Sequence, residues 1–146
     1  MSVSSRTSLA ARFELIPSVR VGPLWFGGAV GDHRELLHRV EVDSELDGDL
    51  VEYAVPGLED ALSVHVDGEG RIDTVTFYAF CQLRGRDLIG MGVGELLVAL
   101  GEAPDDIEPD MLGGELELIY AFGSLGLLVW TSDGMVTAVQ ACGTGY

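Results

Sequence analysis

SVHVDGEGRIDTV at 63–75 and LLVWTSDGMVTAV at 127–139 share one shape. Each is an apolar run, a short acidic break carrying glycine, and a second run rich in Val, Ile and Thr. Glu69-Gly70 and Asp133-Gly134 occupy the breaks. An acidic residue followed by glycine between two such runs is a strong hairpin signal, because the turn needs a backbone conformation that glycine tolerates. Both stretches therefore predict strand, turn, strand.

Upstream of each hairpin the correspondence continues. Glu52-Tyr53-Ala54-Val55 lies over Ile119-Tyr120-Ala121-Phe122. Val51, Tyr53 and Val55 alternate with Glu52 and Ala54, and Leu116, Leu118, Tyr120 and Phe122 alternate with Glu117, Ile119 and Ala121. Period-two alternation is the pattern of a half-buried strand. Further back stand GGAVGDHRELL at 27–37 and GMGVGELLVAL at 90–100. In the second, Val93, Leu96, Leu97 and Leu100 fall on one helical face. His33, Leu36, Leu37 and Val40 hold the equivalent places in the first.

These patterns predict an α+β fold. It is a tandem repeat of a short helix plus three antiparallel strands, with the helices packed on one face of an antiparallel sheet. Residues 1–146 form a single domain of two repeats, about 20–80 and 81–146, with 1–12 a loose N-terminal tail. The acidic runs at 41–52 and 102–117 read as loops joining each helix to its first strand. The glycine clusters then mark a tight turn built twice. Gly90, Gly92 and Gly94 are spaced GxGxG rather than as a dinucleotide fingerprint, and the chain has no lysine for a phosphate loop.

The chain is 47% hydrophobic over 146 residues, enough for one core. No apolar run approaches the ~18 residues of a membrane span, and the first residues lack the apolar centre of a secretory signal. The expectation is a cytoplasmic protein that does not engage a membrane. Its charge is uneven. Residues 1–40 carry five arginines and three acids, whereas 41–146 carry three arginines and 21 acids, giving −16 in all. Such a field repels nucleic acid and draws in a basic partner. A second reading stays open: with neither lysine nor asparagine in the chain, the acidity fits a proteome-wide bias.

The residues that could carry chemistry form no constellation. His33 and His38 in HRELLH are five apart, not the four of a zinc helix. Cys81 and Cys142 have neither metal nor CxxC spacing and read as reduced thiols. Glu59-Asp60 and Asp105-Asp106 lack the spacing of a calcium loop. The reading is a protein with no catalytic residue, no cofactor and no metal. What remains is surface. Ile119, Ala121, Val129 and Ala138 read as an apolar outward strand face, which argues for a covered surface. The candidate partner-binding residues are Asp47, Asp49, Glu52, His65, Tyr78, Phe80, Asp105 and Asp106. In this set the aromatic residues anchor and the acids steer.

IGMGVGELLVALGEAP at 89–104 resembles the glycine-turn helix of the β-lactamase inhibitor protein family, and LLVWTSDGMVTAV resembles the hairpin that ends each repeat of that family. VGPLWFG at 21–27 and the terminal Gly145-Tyr146 are similar to those of small bacterial proteins of the same layout, and some bacterial immunity proteins share this size and acidity. The resemblance implies binding through an open sheet face and an inhibitor or immunity role against a protein partner such as a basic toxin or enzyme. Two alternatives stand beside it. One is a small-ligand binder or enzyme using a groove between the repeats, with His65, Cys81 or paired acids converging there. The other is a homodimer buried through the same face.

Overall fold

A computed structural model describes residues 9–40, 51–112 and 114–143. After a helical turn at 9–11 come three two-residue strands, β1 (Leu15–Ile16), β2 (Arg20–Val21) and β3 (Leu24–Trp25), paired in that order. A 3-10 turn, Val30–His33, leads to β4 (His38–Arg39). Then follow β5 (Val51–Ala54), β6 (Leu62–Val66) and β7 (Ile72–Phe77). A small hairpin, β8 (Gln82–Leu83) and β9 (Arg86–Asp87), precedes helix α1 (Val93–Leu100). The chain closes with β10 (Asp106–Leu112), β11 (Glu115–Phe122), β12 (Leu127–Ser132) and β13 (Met135–Cys142).

Eight strands make one antiparallel sheet in the order β10-β11-β12-β13-β7-β6-β5-β4. Two four-stranded meanders thus meet at its centre, where Val139 pairs with Phe77 and Ala141 with Val75. Their internal registers correspond. Val51 faces Val66 in one, and Leu118 faces Thr131 in the other. Leu62 faces Phe77, and Leu127 faces Ala141. The ladder breaks register between His65 and Val66, and again between Trp130 and Thr131.

The α+β expectation of a helix and three strands in each half is overturned. Among the described residues the fold is mostly β, at 47% strand and 15% helix. Each meander has four strands, and among the described residues the first half holds no counterpart of α1. The reasons are local. In the first half Val30–His33 forms only a 3-10 turn with no buried residue. Gly31 sits inside it and the polar run Asp32-His33-Arg34-Glu35 follows, so the apolar contacts to the core, Val30 before that run and Leu36 and Leu37 after it, are interrupted where a helix would need them. In the second half Leu96 and Leu100 are buried, and Gly101 ends α1 in the left-handed conformation with its N–H donated to Leu97. The fourth strand comes from part of the acidic run expected as a loop. In DIEPDML, Ile107, Pro109 and Met111 alternate with Asp106, Glu108 and Asp110. Pro109 is tolerated because β10 is an edge strand and its free side needs no donor.

One face of the sheet carries the core. The row Tyr120, Val129, Val139, Phe77 and Leu62 runs across five adjacent strands by direct pairing. All five are buried. Leu15, Val21 and Leu24 of the small sheet join the same cluster, with Leu83, Leu88 and Met91 of the crossover and Leu96 and Leu100 of α1. Leu9 and Ala10 rest on the core and Phe13 is buried in it. Gly22 shows how tightly this segment sits, since a Cβ there would lie 2.0 Å from the Arg12 carbonyl oxygen. No helix among the described residues is long and apolar enough to cross a membrane.

Candidate docking face

Alternation along the strands assigns the opposite face residue by residue. One step from the core row, Glu108 pairs with Ile119, Ile119 with Trp130, and Trp130 with Ala138. Tyr78 stands just past Phe77, the last residue of β7, where continuing the β7–β13 register would set it by Ala138. Ile119, Trp130 and Ala138 are half-buried, and Tyr78 is exposed. The next row is Ala121, Leu128, Gln140, Thr76 and Ser63. A shallow groove of about 420 Å³ crosses this face, lined by Tyr78, Trp130, Ala138, Gln140, Glu117 and His65 among others.

Acids border the apolar centre. Asp106, Glu108 and Asp110 of β10 pair with Ala121, Ile119 and Glu117, so all three share the outer face with Glu117. No Arg occurs on β10 or β11. On the far side Glu52 pairs with His65 across the ladder, with 3.8 Å between Oε1 and Nε2.

The sequence-derived candidates divide. Glu52, His65 and Tyr78 come together on this face, as just described. Asp106 is exposed at its β10 border. Phe80 is buried, edge-on to Phe77 with ring centroids 6.0 Å apart, so it supports the core and is out of a partner's reach. Asp105 is engaged locally: its carboxylate accepts the Gly123 N–H and its own N–H is donated to Ala121. Asp47 and Asp49 lie outside the described residues. Val129, expected to point outward, belongs to the core row, and Trp130 takes the outward place.

Trp130, Glu117 and Gln140 escaped the sequence reading. LLVW is apolar at every position, so period two gives no sign of which residues face out. The available signal was the hairpin register: once Ile119 is outward, its partner Trp130 must be too.

Cys81 is fully buried, and burial, reinforced by the Asp87 carboxylate, holds its thiol pKa well above the usual value. A thiol so placed stays protonated and unreactive. Its N–H is donated to Asp87 Oδ1 at 2.8 Å, and Cys81 is not among the groove residues. His65 and Cys81 therefore do not converge. Among the described residues no cluster of His, Cys, Asp or Glu could hold a metal ion. Comparison with family models, curated proteins and solved structures finds no match for this chain.

Proposed function

We propose that this chain is a non-catalytic binding protein that occludes a basic protein partner, in the manner of an inhibitor or immunity protein, with the outer face of its sheet. The observation that carries the reading is the row Ile119, Trp130, Ala138 and Tyr78. It is apolar or aromatic across β11, β12 and β13 to the residue just past the end of β7, and is bordered by Glu108, Asp110 and Glu117. Aromatic side chains in such a row are the usual anchors of an interface. A one-signed acidic rim selects a basic partner and speeds its arrival. The net charge of −16 extends that selection to long range and disfavours a second copy of the chain as occupant. The sequence resemblance to β-lactamase inhibitors offers an analogy for binding through a sheet face.

Photo-crosslinking decides it. A photoreactive residue at position 130, introduced in the cells that make the protein, should trap one basic protein. The same residue at position 98, on the exposed side of α1, should not. The trapped protein, purified, should associate more slowly as salt rises, because the Debye length shrinks from ~10 Å at 0.1 M to ~3 Å at 1 M. Crosslinks only to the chain itself, or association indifferent to salt, would overturn the proposal.

A further inference from the structure

Resting on that reading, we infer that the groove is a slot for one arginine side chain of the partner, its guanidinium stacked between Trp130 and Tyr78 and its charge met by Glu117. Ala138 forms the floor. Trp130 is its partner on β12, and Tyr78, one residue past the end of β7, lines the groove with both. Ala138 ends at Cβ, so nothing of its own fills the space between the two aromatic side chains. The flanking strands are two inter-strand spacings apart, about 9.6 Å. Two rings hold a flat group between them at about 7 Å, one carbon-to-carbon contact of ~3.5 Å on each face. A lean of roughly 1.3 Å by each ring closes that difference. An aliphatic or spherical group would leave the ring faces unmatched.

The polar lining selects charge. Glu117 opens onto the groove, with Gln140, Thr76 and Thr137 beside it as neutral hydrogen-bonding groups. Thr137 Oγ1 donates to the Trp130 carbonyl at 3.3 Å, which ties the Trp130 backbone to the next strand. At the other end the His65 ring is already paired with Glu52, leaving Glu117 as the carboxylate that lines the slot. An anion would meet this carboxylate in a chain of −16. Between cations, guanidinium is flat, weakly hydrated, able to stack on aromatic faces and able to grip a carboxylate with two N–H groups. An ammonium is a strongly hydrated point charge and has no face to stack. The molecule uses the same pairing within itself, where Arg20 Cζ lies 5.4 Å from the centroid of the exposed Trp25 ring.

The test needs no identified partner. Trp25→Phe leaves Trp130 as the only tryptophan of the chain. In that background the Trp130 emission and its indole N–H resonance are followed against N-acetyl-arginine amide and N-acetyl-lysine amide at constant ionic strength. The arginine compound should saturate the signal, with the lysine compound at least about fivefold weaker. Glu117→Gln and Tyr78→Leu should each weaken the arginine compound about three- to tenfold, with melting temperature unchanged. Equal response to both compounds, or no effect of Glu117→Gln in a folded variant, overturns the slot. The two proposals fail separately. A trapped basic partner with no arginine preference defeats the slot alone. Saturation by the arginine compound without any trapped basic protein defeats the occlusion reading alone.

Discussion

Phe77 and Tyr78 are adjacent in the chain and belong to opposite faces of one sheet. Phe77 is fully buried, between Val139 and Leu62 in the core row, whereas Tyr78 is 51% exposed at the edge of the groove. The same division separates Val129 from Trp130 and Val139 from Ala138. The inner row is continuous, aliphatic and aromatic, and covered by α1 and the small N-terminal sheet. The outer row holds larger aromatics around a small floor, with carboxylates beside them. A single-residue step thus separates positions that hold the fold from positions open to recognition, and substitutions on the two rows should have separable effects.

The largest effect belongs to the inner row. Phe77→Ala should cost about 3–5 kcal/mol of unfolding free energy, through lost burial and the cavity left beside Phe80. Tyr78→Ala, one residue on, should cost less than about 1 kcal/mol. Urea denaturation of the two variants measures both. Comparable losses would mean that the faces are not divided in this way.

The next effect is on the outer row and in binding. Trp130→Ala should raise the off-rate from the trapped partner about thirtyfold or more, the scale of an interface anchor, while stability changes far less. Surface plasmon resonance on the purified pair gives the rate, and the denaturation curve gives the control. A variant that loses stability and binding in parallel would place Trp130 among the residues that hold the fold.

Part of this division was open to a reader of the sequence. The two hairpins, the alternation of β5 and β11, and the apolar stripe Val93, Leu96, Leu97 and Leu100 each carry a period that local packing obeys. Other parts left no period to read. In β10 five of seven residues are acidic, proline or isolated apolar, and composition masked an alternation that was present. β1–β3 and β8–β9 are two residues each, too short for any periodicity. The pairing of β7 with β13 joins positions more than sixty apart and depends on no local signal. That central pairing sets Tyr78 beside Trp130 across Ala138, so the groove could not be assembled from either hairpin alone.

A smaller effect should come from the rim. Glu108→Gln, Asp110→Asn and Glu117→Gln together should slow association about three- to tenfold at low salt and flatten its salt dependence. The off-rate should respond mainly to the loss of Glu117. Asp105 is unsuited to this test, because its carboxylate holds the Gly123 N–H and its loss would disturb the β11–β12 connection. Stopped-flow association across a salt series reads the result. An unchanged salt slope would assign the acidity to general solvation, the second reading that composition left open.

The smallest predicted effects have opposite signs and involve two buried hydroxyls on opposite faces. Thr131 lies on the inner face, and its Oγ1 donates to the Leu118 carbonyl at 3.1 Å. Thr131→Val keeps the shape and removes that bond, so it should destabilise by about 1 kcal/mol. Ser63 has outer-face register, opposite Thr76, yet it is buried, and its Oγ is the one buried side-chain polar atom without a hydrogen-bond partner among the described residues. Such a hydroxyl has lost its water without a replacement, at a cost of about 1–3 kcal/mol. Ser63→Ala removes the cost together with one small atom of packing, so its net effect should be a gain of up to about 1 kcal/mol. Paired denaturation curves under one set of conditions resolve the signs. A loss at Ser63 equal to that at Thr131 would mean that the hydroxyl is satisfied in solution by water reaching it from the groove side, and the floor beneath Thr76 would then be wetter than its burial implies.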